Sequence, residues 1–333
     1  MSIHVNVSGL VKQYPVKAGL FSRTQDRIHA VNGVSFQIPK GQTLGLVGES
    51  GCGKTTTARL LLRVIEPDGG YFQFEDVEDV FKLEPEELRR VRSRMQYVFQ
   101  DPYSSLNPKM LIRDIVTEPI RYQKGTTRRD LEQKAGELLE HVGLSADAAR
   151  KYPHEFSGGQ RQRISIARAL SSNPSFIICD EPVSSLDVSI QSQILNLLID
   201  LQNEMGITYL FIAHNLSVVF YMSDTVAVMY TGKIVEKADS RELFENPLHP
   251  YTRLLLKAMT PEGRNDPILK NDTGEVPSLI QYPEGCTFFP RCPLRQDQCL
   301  AAFPPLKEEE TRHFVACYRI RPANRRIESP VAD

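Results

Sequence analysis

The sequence predicts an α/β fold: a phosphate-loop core with a largely parallel sheet, an inserted helical subdomain and a small C-terminal cysteine-containing module. Three observations predict it. Short apolar runs alternate with helix-periodic stretches over the first ~250 residues, the pattern of strands joined by helices. Helix patterns with no convincing strand among them fill about 101–172. Beyond about residue 245 the composition turns to proline and turn formers, and four cysteines gather there. The expected division is therefore a main domain over 1–245, containing the helical subdomain, and an extension over 246–333.

Each element has its own signal. TLGLVG at 43–48 reads as a buried strand running into a glycine turn, and FIICD at 176–180 and ITYLFIAH at 207–214 as two more buried strands. Unbroken apolar runs of this length are what strands covered on both faces look like. Met95–Phe99 is also strand-like. Ile194, Leu197, Leu198 and Leu201 follow helical spacing, and Gly206 stands where that helix would stop. The runs NPLHPYTR, TPEGRNDP, VPSL and QYPEG mark the change of composition in the extension.

Composition limits the function. The chain has 333 residues, 41% hydrophobic and 24% charged, with a formal net charge of −1. That balance supplies a core and no general attraction to nucleic acid or anionic lipid. No stretch approaches the ~20 apolar residues that span a bilayer, and MSIHVNVSGLVKQYP lacks the apolar block of a signal peptide. A cytosolic location is expected, with any membrane spans supplied by another polypeptide.

Gly48-Glu49-Ser50-Gly51-Cys52-Gly53-Lys54-Thr55 fits G-x-x-x-x-G-K-[ST], between a strand and a helix. Glycines let successive backbone N–H groups turn inward around phosphate, where side chains would obstruct them. The following helix, beginning near Thr56, adds its unpaired amides and positive dipole end. Lys54 can reach the β- and γ-phosphates, and the Thr55 hydroxyl can ligate Mg²⁺. Cys52 fills an unconstrained position.

The strand at 176–180 carries Asp180 and Glu181 to the carboxyl edge of the sheet, where α/β folds bind ligands. Asp180 is placed to hold Mg²⁺ through water and Glu181 to polarise an attacking water. Read alone, the pair also fits a surface cap. His214, closing the third strand, and Gln100, after Met95–Phe99, would each pass as ordinary residues by themselves.

Together these residues form a set. Ser157-Gly158-Gly159-Gln160, before a helix with Arg161, Arg163 and Arg168, resembles the signature of ABC nucleotide-binding domains, with Phe156 where leucine is commonest. The order also resembles that family: phosphate loop, Gln100, signature, Asp180-Glu181, Ser185-Leu186-Asp187, His214. The resemblance implies ATP and Mg²⁺, with two subunits packed head to tail so that each ATP lies between one loop and the partner's signature. By the same resemblance Glu181 is the catalytic base and His214 the γ-phosphate sensor. Gln100 touches Mg²⁺ and senses the membrane subunits, and Asp187 ties the two sites together. Tyr14 resembles the aromatic that stacks on adenine, although KAGLFSRTQDRIHA follows it like an insert and a tyrosine packed at a sheet edge fits as well.

VFQDPYSSLNPKM, NPLHPYTRLLLKA and GCTFFPRC are similar to the oligopeptide/dipeptide importer ATPases, and the insert to the second of their two unlike ATPase subunits. This implies a peripheral subunit on the cytoplasmic face of the membrane. Its partners would be a second ABC ATPase, identical or paralogous, two integral membrane permeases and an extracytoplasmic substrate-binding protein, with no nucleic acid. The alternative is a non-transport ABC ATPase acting on nucleic acid or ribosomes. Such proteins usually carry two cassettes or a long coiled-coil insert, and this chain has neither.

Cys286, Cys292, Cys299 and Cys317 are spaced C-x5-C-x6-C-x17-C. In a reducing compartment such a cluster points to metal before disulfides. Structural zinc favours closer pairs, whereas irregular spacing suits a [4Fe–4S] cubane, one thiolate to each iron. Relatives with this tail resemble iron–sulfur carriers; reduced structural thiols and zinc stay open as readings.

Overall fold

Strand β3, Thr43–Val47, is buried at every position and leads straight into the glycine turn at Gly48. The computed structural model describes residues 2–16, 26–121, 127–259, 280 and 282–320. The chain divides into two units: Met1–Val5 with Ile38–Thr43 and Phe74–Ala213, and Asn6–Gln37 with Leu44–Gln73 and His214–Asp333.

In the unit spanning Phe74–Ala213, β5 (Met95–Val98), β6 (Phe176–Asp180) and β7 (Thr208–Ala213) lie parallel in that order. Every residue of β6 and β7 is buried. Ile177, Ile178, Phe211 and Ile212 are fully excluded from solvent, each adding about 1.5–3 kcal/mol of hydrophobic stabilisation. Helices Arg128–His141, Gly158–Leu170 and Val188–Met205 belong to this unit. Gly206 ends the last of them in a left-handed conformation, φ 67°, one that glycine adopts at no cost. No strand lies among the described residues between 101 and 172.

The second unit holds most of a three-stranded sheet, order β2-β1-β4, made of β1 (Ile3–Pro15), β2 (Arg27–Pro39) and β4 (Gly69–Phe74). The end of the KAGLFSRTQDRIHA stretch is therefore the start of β2; residues 17–25 lie outside the described residues. Beside β3 runs β8 (Thr225–Tyr230), parallel, with Leu44 opposite Thr225. From there the pairing is antiparallel: β8 with β9 (Lys233–Asp239), β9 with β11 (His313–Val315), and β11 with β10 (Lys307–Glu310). The sheet is thus mixed rather than largely parallel. The tail's last strands add directly to β9, and the buried carboxylate of Glu236 fastens them. It accepts from the amides of Leu248 (2.7 Å) and His249 (3.0 Å) and pairs with His313 Nε2 (2.7 Å).

Candidate nucleotide site

The loop from Gly48 to Lys54 is shaped from below. A Cβ on Gly48 would stand 2.1 Å from the Met229 carbonyl oxygen, and one on Gly53 2.2 Å from that of Ala30. Both glycines have positive φ, 159° and 109°. At these two positions the need for glycine thus comes chiefly from the strand backbones beneath the loop. Gly51 is the opposite case: exposed, φ 80°, with no atom within 4 Å of its Cβ position. Its outer side is the open cradle that a phosphate chain requires. The Gly232 amide donates to the Cys52 carbonyl at 2.9 Å, pinning the loop to the β8–β9 turn.

Lys54, 5% exposed, folds back over the loop. Its ammonium donates to the carbonyls of Gly48 (2.7 Å) and Glu49 (3.0 Å). Helix Lys54–Leu61 starts there, with Thr55 and Thr56 in its first turn and no acidic residue in it. A first turn without acidic residues favours an anion at that end of the helix. Burial holds the Cys52 thiol above its ordinary pKa, so it is a neutral packing group rather than a reactive thiolate.

In the other unit, β6 delivers Asp180 and Glu181 to its carboxyl end. Asp180 is 2% exposed, and its Oδ2 accepts a short hydrogen bond from the Tyr97 hydroxyl. Glu181 leaves the strand at φ 49°, a left-handed conformation uncommon outside glycine. Its amide is anchored to the Ile212 carbonyl on β7 at 2.8 Å. The Gln100 amide nitrogen donates to Glu181 Oε2 at 2.8 Å, so two residues distant in sequence share one hydrogen bond.

Ser157-Gly158-Gly159-Gln160 opens helix Gly158–Leu170 as a capping box: the Ser157 hydroxyl accepts from the Gln160 amide and the Gln160 side chain from the Ser157 amide. A Cβ on Gly159 would meet Ile190 Cγ2 at 2.5 Å, so that glycine lets the turn seat on helix Val188–Met205. Asp187 is the exposed N-cap of that helix, with no side-chain capping bond. The Arg161 guanidinium lies 4.0 Å above the Tyr103 ring, and Arg168 donates to the Ser105 carbonyl at 2.7 Å. His214 follows β7 and is exposed, and Tyr14 sits half-buried on β1 beneath the Lys12 ammonium.

The four tail cysteines are unbridged and line one cavity together with His249 and Phe288. Backbone pairing fixes part of its wall: the Cys286 amide donates to the Cys299 carbonyl at 2.7 Å, and Gly285 is too close to that carbonyl to carry a side chain. Burial pushes the Cys286 thiol up, Cys292 to about 12 and Cys317 to about 11. A metal entering there must displace thiol protons.

Sequence reasoning missed Tyr97, the partner of Asp180, and Arg291 and Tyr251, which bind the phosphate loop. Arg291 Nη1 and Nη2 each meet a Glu49 carboxylate oxygen at 2.9 Å. The Glu49 amide donates to the Tyr251 hydroxyl at 2.9 Å. Their signal lay in FFPRC and HPYTR, two runs that seemed to mark only a branch of the family.

Residues 31–184 match the family model described as ABC transporter, and residues 235–299 the one described as oligopeptide/dipeptide transporter, C-terminal region. The chain is 49% identical over 312 residues to the oligopeptide transport ATP-binding protein AppF of Bacillus subtilis, covering 92% of this chain and 94% of that one. It is 45% identical to the dipeptide transport ATP-binding protein DppF of Haemophilus influenzae, covering 95% and 96%. Among solved structures, a dimeric ATP-binding cassette in a post-hydrolysis state with ADP and Pi superposes with a TM-score of 0.62 at 27% identity. That match covers 71% of this chain and 99% of the cassette.

Proposed function

Because the chain belongs to the ATP-binding subunits of the oligopeptide and dipeptide ABC transporters, we propose that it hydrolyses ATP to drive the import of di- and oligopeptides. The observation that carries this reading is the loop Gly48–Thr55, open at Gly51 and roofed by the buried Lys54. Few other chemistries need a lysine amine arched over bare backbone at the start of a helix.

Residues 1–245 act as the nucleotide-binding part and 246–333 as an extension specific to this branch. The loop amides and Lys54 bind the β- and γ-phosphates, and Tyr14 stacks on the base. Thr55, Gln100 and Asp180 are the residues that would hold Mg²⁺, which would supply charge neutralisation on the phosphates. Glu181 takes the proton of the attacking water, oriented by its bond from Gln100. His214 senses the γ-phosphate. Ser157, Gly158, Gly159 and Gln160 serve the nucleotide of a second ATPase subunit, itself or a paralogue, with Asp187 at the seam. Binding is complete only when both subunits contribute, so ATP favours the closed pair and loss of phosphate releases it.

No helix among the described residues is long and apolar enough to cross a membrane. The spans belong to two permease subunits, against whose cytoplasmic side this chain acts, and peptide reaches them from an extracytoplasmic binding protein.

For the extension, the reading is a [4Fe–4S] cluster held by Cys286, Cys292, Cys299 and Cys317, supported by four unbridged thiols lining one cavity. Zinc at ~2.3 Å from four thiolates draws their sulfurs to roughly 3.8 Å. Among the described residues the three-ligand group whose atoms lie within 4.8 Å is Glu242, Glu310 and His313; no cysteine trio forms one. Four thiolates, one to each iron, suit a cubane.

The experiment is Glu181→Gln in the assembled transporter. ATP binding should persist, steady hydrolysis should cease, and an ATP-bound subunit pair should accumulate on size-exclusion chromatography. Undiminished hydrolysis would remove Glu181 from its role.

A further inference from the structure

We propose that Arg291 and Tyr251 are positioning residues for ATP binding, through which the cysteine-bearing extension holds the phosphate loop in its receptive shape. This deepens the ATP reading and rests on it.

A glutamate in the second position of a polyphosphate loop is an electrostatic liability, because its charge opposes the ligand's. Here that charge is taken up. Both Glu49 oxygens meet the Arg291 guanidinium at 2.9 Å, fork on fork, an arrangement that fixes direction as well as charge. The Arg291 side chain is 7% exposed and that of Glu49 30%, so solvent and salt screen the pair only in part. Its guanidinium lies 5.8 Å from the rings of both Tyr230 and Phe288.

The backbone of the same glutamate is held as well. Its amide donates to Tyr251 Oη at 2.9 Å, and its carbonyl accepts from the Lys54 ammonium at 3.0 Å. Glu49 is thus where the extension and the phosphate-binding lysine meet. If Arg291 or Tyr251 lets go, an acceptor of Lys54 shifts and an uncompensated carboxylate turns towards the nucleotide.

The clamp is continuous with the cysteine cavity. Phe288, on the cavity wall, packs against Tyr251 and Tyr230 with centroids at 5.5 and 5.4 Å. Arg291 immediately precedes Cys292. Whatever fixes the cysteines also fixes the platform from which Arg291 reaches the loop.

The test is titration of the full-length protein with a fluorescent ATP analogue, comparing Arg291→Met, Arg291→Lys, Glu49→Gln and the Arg291→Met/Glu49→Gln pair. Arg291→Met should raise Kd about tenfold or more, the scale of one lost charge-assisted contact. Arg291→Lys should recover part of that loss. The double variant should be no weaker than Arg291→Met alone, because removing the carboxylate removes the liability. A purely structural pair predicts Kd losses that simply follow thermal stability, and that outcome overturns the proposal. So does an unchanged Kd in Arg291→Met while Lys54→Ala, in the same assay, abolishes binding. If neither wild type nor Lys54→Ala binds the analogue, it is the ATP reading that fails. Should Arg291→Met not fold, Tyr251→Phe decides: it leaves the ion pair intact, and a Kd equal to wild type sinks the proposal.

Discussion

Gln100 Nε2 donates to Glu181 Oε2 at 2.8 Å, which aims a carboxylate that sits on a left-handed residue at the end of β6. The bond makes Gln100 an orienting group for the carboxylate assigned as base. Gln100→Ala should therefore lower ATP turnover roughly tenfold, beyond any change in nucleotide Kd from its place beside Mg²⁺, and Glu181→Gln should lower it by about 10²–10⁴. Steady-state phosphate release read beside equilibrium binding separates the two. A Gln100→Ala variant with wild-type turnover would mean that the hydrogen bond is idle.

Lys54 is buried and satisfied by two loop carbonyls. Lys54→Ala removes a cation from the phosphate site and leaves those carbonyls short of a donor. ATP binding should fall at least about a hundredfold, the effect of roughly 3 kcal/mol, in a chain that still folds. Isothermal titration with circular dichroism checks both halves.

Gly53→Ala and Gly51→Ala should differ. The first drives a Cβ into the Ala30 carbonyl at 2.2 Å with φ at 109°; the second has room, with φ at 80°. Strain alone costs on the order of 1 kcal/mol. Strain with a backbone clash adds roughly 1–3 kcal/mol more. Gly53→Ala should thus melt several degrees below Gly51→Ala in a thermal shift series; equal melting would deny the close approach.

Burial lowers the pKa of His249 to about 4, and its Nδ1 accepts from the Tyr251 amide at 3.0 Å, so the folded protein holds the ring neutral. The unfolded chain takes up the proton near 6.5, the folded chain only near 4. The stability that depends on the neutral ring is full above about pH 6.5 and is lost as pH falls through that window. The whole loss is about 3 kcal/mol. Melting temperature measured from pH 7.5 to 4.5 should drop more steeply in wild type than in His249→Asn, whose amide oxygen can accept the same bond without titrating. Parallel curves would contradict the assignment.

Protein purified without oxygen should carry about four irons per chain, the content of one cubane, and a brown absorbance. Cys292→Ser should lose both. Metal analysis showing zinc in place of iron, or less than one iron per chain, would reject the cluster.

The parts legible in the sequence were those whose physics is local. β6 and β7 announce themselves because burial on both faces demands unbroken apolar runs, and Gly206 because a helix end demands a left-handed residue. β9 stayed hidden: Lys233, Glu236, Lys237 and Asp239 make it look like a loop, and the burial of Glu236 depends on donors supplied by Leu248, His249 and His313. The glycine pattern revealed the phosphate loop but suggested a different reason for Gly48 and Gly53, because the Met229 and Ala30 carbonyls that exclude a Cβ come from remote strands. Arg291 lies 242 residues from Glu49, and no spacing rule reaches that far.

The attachment of β11 to β9 has a bearing on how the protein can be cut. A chain shortened before the cysteines would not be a leaner ATPase. It would bare the hydrogen-bonding edge of Lys233–Asp239 to any neighbouring molecule and strand the Glu236 carboxylate without its imidazole. Such a fragment should clump through its naked strand, and residual catalysis in it would speak of aggregation as much as of domain independence.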